Sequence, residues 1–140
     1  MNFSFIVIDE SELDCFIAKK IIQNYDRNFN IEVYQNPLNA IEKIRSETAF
    51  GDLDPVHIIL LDLQMPLMNG FEFVEEFEQM EAETRRHYYI HILSSTRNKT
   101  DINRLLTYNS VLSVVEKPLT GSKLILVIND TLNTLNKGKR

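Results

Sequence analysis

The stretch His57-Ile-Ile-Leu-Leu-Asp62-Leu-Gln-Met-Pro66 decides how this chain folds. Its apolar run is bounded upstream by Pro55 and downstream by the turn residues Pro66, Asn69 and Gly70, the pattern of a strand covered on both faces. Strands of that kind belong to parallel sheets, and open α/β sheets bind ligands outside the carboxyl ends of their strands. Asp62 stands at such an end, so its carboxylate is the first candidate for chemistry.

Upstream of this strand, Phe3-Ser-Phe-Ile-Val-Ile8 is a β-rich run, and after Asp9-Glu10-Ser11 the pattern changes to Leu13, Phe16, Ile17, Ile21 and Ile22, spaced for one face of a helix that Ser11 or Asp9 can cap. Ile31-Glu-Val-Tyr34 is a short strand, and Asn36-Pro37 opens a helix through Ile41 and Ile44. Gly51 to Pro55 reads as a loop. Downstream, a helix carries Phe71, Val74, Phe77 and Met80 inward, with Glu72, Glu75, Glu76 and Glu78 toward water. Tyr88 to Leu93 is a fourth strand, Lys99 to Tyr108 a helix, Val111 to Val115 a fifth strand, and Gly121 to about Asn136 a last helix. Because parallel strands need right-handed helical crossovers, five βα units predict a doubly wound five-stranded parallel sheet with five helices.

The chain has 140 residues, which fits one domain spanning 1–140 with a short basic tail from about Lys137. The net charge of −5 disfavours nonspecific nucleic-acid binding. No apolar stretch approaches a membrane span, and the first residues read as a strand rather than a signal peptide, so a cytoplasmic location is expected. The single Cys15 excludes an internal disulfide and reads as a buried, inert thiol on a helix. His57, His87 and His91 lack ligand spacing and read as structural, and Met65 and Met68 as packing around the Asp62 loop.

A parallel sheet brings Asp9 and Glu10 after strand one, Asp62 after strand three, Ser94 after strand four and Lys117 after strand five to one edge. Three crowded carboxylates need a cation to offset them, and all-oxygen ligands suit Mg²⁺ or Mn²⁺. In this reading Asp9 and Glu10 hold the metal and Asp62 attacks a phosphoryl group. Lys117 balances the phosphoryl oxygens, the Ser94 hydroxyl bonds one of them, and Pro118 constrains the turn that aims the ammonium.

These residues resemble the receiver domain of two-component response regulators. The match is Asp9-Glu10 after strand one, D-x-x-M-P-x-M-x-G beginning at Asp62, a hydroxyl residue ending strand four, and Lys117-Pro118 after strand five. The resemblance implies a flavodoxin-like fold with strand order 2-1-3-4-5. It also implies phosphorylation of Asp62 by a sensor histidine kinase, with Mg²⁺ held by Glu10, Asp62 and the backbone carbonyl of Gln64, and Asp9 acting mainly through a metal-bound water. Gln64 and Thr96 sit where side chains tune attack by water on the acyl phosphate.

Two features depart from the family. Asp9-Glu10 replaces the frequent aspartate pair, and Val114 stands where an aromatic residue usually swings inward. Ser94 fits the strand end, with Ser95 the alternative hydroxyl. The expected protein is a stand-alone phosphoacceptor switch, monomeric or weakly dimeric, whose output is a protein partner or a phosphotransfer protein rather than nucleic acid. Two other readings compete, an aspartyl phosphohydrolase and a degenerate receiver acting as a scaffold. The first is weakened by Gln64, which occupies the place of the second aspartate that the haloacid dehalogenase pattern requires.

Overall fold

The computed structural model describes residues 2–47, 50–51 and 55–138. Most of the loop expected between Gly51 and Pro55, the first residue and the end of the basic tail lie outside them. The elements run β1 (Phe3–Ile8), α1 (Glu12–Tyr25), β2 (Asn30–Tyr34), α2 (Pro37–Ser46), β3 (Val56–Asp62), α3 (Gly70–Glu78), α4 (Ala82–Arg85), β4 (Tyr88–Ser94), α5 (Lys99–Leu106), β5 (Val111–Glu116) and α6 (Gly121–Asn136). All strand pairs are parallel, in the order β2-β1-β3-β4-β5. This is the doubly wound sheet expected, with the flavodoxin-like strand order.

The helix count differs. Six helices occur among the described residues rather than five, because the segment between α3 and β4 folds a four-residue turn, Ala82–Arg85, which buries none of its residues. So short a turn has no apolar period to announce it.

Side-chain alternation along the strands builds two cores. Ile6, Ile8, Ile59, Leu61, Ile90 and Ile92 point to one face and meet Ala40, Ile41 and Ile44 of α2, Phe73, Val74 and Phe77 of α3, and Leu105 of α5. Phe3, Phe5, Val7, Ile58, Leu60 and Leu93 point to the other and meet Cys15, Ala18 and Ile22 of α1 with Leu124, Val127 and Ile128 of α6. In α3 the fully buried aromatic beside Val74 is Phe73, while Phe71 is only partly buried.

Helix α1 corrects the expected face. Leu13 and Phe16 are 66% and 57% exposed, whereas the small residues Cys15 and Ala18 lie against the sheet. Small side chains let α1 approach closely, so that Leu13 and Phe16 are turned outward while Ile22 of the expected face stays buried. The Cys15 thiol is buried as expected, and burial first, then Asp9 and Asp14, push its pKa up to about 11.

Within the second core His91 is fully buried. Its Nδ1 lies 2.6 Å from Ser113 Oγ on β5, and its Nε2 lies 2.9 Å from Thr131 Oγ1 on α6. Thr131 Oγ1 donates to the Val127 carbonyl at 2.9 Å, so it must accept from His91. Nε2 therefore carries the proton and Nδ1 accepts from Ser113, giving a directed chain in which both ring nitrogens are satisfied.

Candidate functional site

The C-terminal ends of β1, β3 and β5 converge because of the sheet order. Ile8 is level with Leu61 on β3, and Asp62 is level with Leu93 on β4. The residues that follow these strands therefore share one edge. The Asp9 N–H donates to the Tyr34 carbonyl at 3.0 Å, the Asp9 carboxylate accepts from the Ser11 N–H at 2.9 Å, and the Cys15 thiol donates to the Asp9 carbonyl at 3.2 Å. Ser11 caps α1, its hydroxyl accepting from the Asp14 N–H at 3.2 Å.

Asp9 and Asp62 are both buried, and Lys117 joins them. The ammonium donates to Asp9 Oδ2 at 2.7 Å and to Asp14 Oδ2 at 2.9 Å, and lies 3.1 Å from Asp62 Oδ1. Lys117 follows a strand whose end is fastened to the next, since its N–H donates to the Ser94 carbonyl at 2.9 Å. The Lys117-Pro118 bond is cis.

The electrostatics follow from this crowding. Burial first and Asp9 second push the Asp62 carboxyl above the ordinary carboxylate range, against Lys117 and a hydrogen bond from the Gln64 backbone, which pull it down. Burial works against the Lys117 charge, but hydrogen bonds to Asp9 and Asp14, with the Asp62 charge, outweigh it and hold the lysine above its usual value.

The Asp62 loop is shaped by a close backbone approach. The Gly70 N–H donates to the Leu63 carbonyl at 2.7 Å, and a Cβ on Gly70 would lie 2.9 Å from Leu63 Cα and 3.2 Å from the Asp62 carbonyl oxygen. Only glycine fits without a backbone shift. Asn69 and Glu72 form a reciprocal capping box that starts α3 directly after this turn. Met65 is buried and Met68 partly so, both packing as expected.

Ser94 ends β4 and is buried, its hydroxyl accepting from the Thr96 N–H at 3.0 Å, while Ser95 is exposed. Val114 is level with Ile92 and partly buried against the core shared by α2, α3 and α5. Glu10 is exposed on the rim, with its backbone carbonyl accepting from Gln35 Nε2 at 3.2 Å. Among the described residues no three His, Cys, Asp or Glu side chains are gathered as a metal cage. The structure thus brings Asp9, Asp62 and Lys117 together and leaves Glu10 at the edge. Asp14, a third carboxylate on Lys117, was not anticipated. In sequence it is one more acidic residue in the first turn of a helix.

A family model for the response regulator receiver domain matches residues 5–129. The chain belongs to the response regulator receiver family. The receiver resembles a response regulator receiver protein from Dyadobacter fermentans, with 28% identity, coverage of 93% of this chain and 98% of that one, and a TM-score of 0.81. A two component response regulator from Cytophaga hutchinsonii gives 29% identity, coverage of 94% and 98%, and a TM-score of 0.82. Among curated relatives, response regulator mcs4 of Schizosaccharomyces pombe is 33% identical over 70 residues, 49% of this chain and 12% of that protein. Hybrid signal transduction histidine kinase E of Dictyostelium discoideum is 22% identical over 127 residues, 91% of this chain and 7% of that protein. The receiver thus spans only a small part of these curated relatives. No helix among the described residues is long and apolar enough to cross a membrane.

Proposed function

We propose that this receiver accepts a phosphoryl group on Asp62 from the phosphohistidine of a sensor histidine kinase, in a Mg²⁺-dependent reaction, and thereby changes its affinity for a protein partner or phosphotransfer protein. The observation that carries the reading is the Asp62 carboxylate at the mouth of β3, buried beside Asp9 and 3.1 Å from the Lys117 ammonium. An Asp62 oxygen attacks phosphorus, the P–N bond of the phosphohistidine breaks, and its electron pair returns to the imidazole. Lys117 stays charged and donates to the oxygens of the transferring group, and the Ser94 hydroxyl leaves Thr96 to bond one of them.

The donor set fits a hard divalent cation, because it is all oxygen and the one Lys117 ammonium between Asp9 and Asp62 leaves a negative excess. Asp62, the Gln64 carbonyl and Glu10 turned in from the rim would hold Mg²⁺, with Mn²⁺ a substitute and Asp9 acting through water. Bound there, the ion supplies positive charge to the phosphoryl oxygens. With Val114 in place of an aromatic switch, the change reaches the α5 and β5 surface through Ser94 and its loop. A cytoplasmic setting suits such a relay.

The test is intact mass after incubation with a small-molecule phosphodonor and Mg²⁺. Wild type gains one phosphoryl group and Asp62→Asn gains none. No gain in wild type, or an equal gain in the variant, overturns the reading.

A further inference from the structure

An ammonium has three N–H donors, and in this receiver they face three carboxylates. The separations are 2.7 Å to Asp9, 2.9 Å to Asp14 and 3.1 Å to Asp62, so the lysine sits farther from the nucleophile than from either companion. Asp14 has no part in the reaction set out above. Its backbone is fixed in the first turn of α1 by the Ser11 cap, and its side chain is 39% exposed.

We propose that Asp14 is a positioning residue that draws Lys117 toward α1 and so slows phosphoryl transfer to Asp62. This inference rests on Asp62 being the phosphoacceptor. As the phosphoryl group arrives, its oxygens compete for the same three donors. Asp9 is buried and also accepts from the Ser11 N–H, whereas Asp14 is bound to the ammonium by a single charge-assisted hydrogen bond. The charge that Lys117 offers the transferring group is reduced by what Asp14 retains. Asparagine at position 14 keeps the shape and a neutral acceptor but gives up the charge, freeing the ammonium to move toward Asp62.

The experiment measures phosphorylation rate with a small-molecule phosphodonor at saturating Mg²⁺ for wild type, Asp14→Asn and Glu12→Gln. Glu12 lies in the same exposed first turn and serves as a control for charge acting through space. Asp14→Asn is expected to react at least about threefold faster, the scale of one redistributed hydrogen bond, with Glu12→Gln at the wild-type rate. Loss of folded protein lowers the measured rate, so a gain is not explained by unfolding. An Asp14→Asn rate at or below wild type, or an equal gain in Glu12→Gln, overturns the proposal. Absence of any phosphorylation in wild type would instead remove the functional reading beneath it.

Discussion

Tyr108 donates its hydroxyl to the Glu75 carboxylate at 2.6 Å, fastening the segment before β5 to α3. Arg104 reaches the same carboxylate at 3.4 Å and lies 4.0 Å over the Phe71 ring. The glutamates of α3 are thus not merely a solvated face, since Glu76 likewise meets Arg45 of α2 at 3.1 Å. Tyr108→Phe is expected to lower stability in urea by about 0.5–1 kcal/mol, and Arg104→Ala to lower it as well. The double variant should lose less than the sum, because both donors serve one acceptor.

Asp62→Asn should raise the thermal midpoint at neutral pH. The Asp62 carboxyl is shifted upward by burial and by Asp9, so the folded state holds its proton more tightly than the unfolded state does. A raised carboxyl value means that the charged form costs folding free energy, and stability from this group grows as pH falls through the folded value. A neutral amide removes the cost at every pH. Scanning calorimetry of the two proteins checks the sign.

His91 has the opposite sense. Burial lowers its pKa from 6.5 to about 3, so below the unfolded value the unfolded state binds a proton that the folded state refuses. Stability is therefore lost as pH falls from 6.5, by about 2–3 kcal/mol at roughly pH 4.5. A variant with His91→Gln should be less stable at neutral pH and show a shallower decline below pH 6.5 in denaturant titrations. An unchanged slope would mean that carboxylates alone set the acid limit.

Gly70→Ala should damage the loop that follows Asp62. Its Cβ would press on Leu63 Cα and the Asp62 carbonyl, neither of which is the end of a flexible side chain. The expected loss is about 1–3 kcal/mol, with slower phosphorylation of Asp62, measured by denaturation and by mass. Wild-type values on both would show that the turn can relax.

Much of this was legible in the sequence because the local signals agreed with the global fold. The apolar run before Asp62 implied a buried parallel strand, and the regular alternation fixed which strand ends would meet. Asp9, Asp62 and Lys117 followed from that placement. Other features were hidden for physical reasons. Helix α4 is too short for a period, and in α1 hydrophobicity pointed to Leu13 and Phe16 while packing distance favoured Cys15 and Ala18. Asp14 meets a lysine over a hundred positions away, and nothing in a helix's first turn distinguishes an acid that serves the dipole from one that reaches across the sheet edge. The exposure of Glu10 depends on side-chain rotamer, which residue spacing does not encode.

The bond from Gly70 to the Leu63 carbonyl gives the loop that follows Asp62 a tied base. Met65 is drawn inward beneath it, whereas Leu67 at the tip is 62% exposed. Residue 67 is accordingly a place to attach a fluorescent reporter in solvent, outside the hydrogen bond that ties the base of the loop.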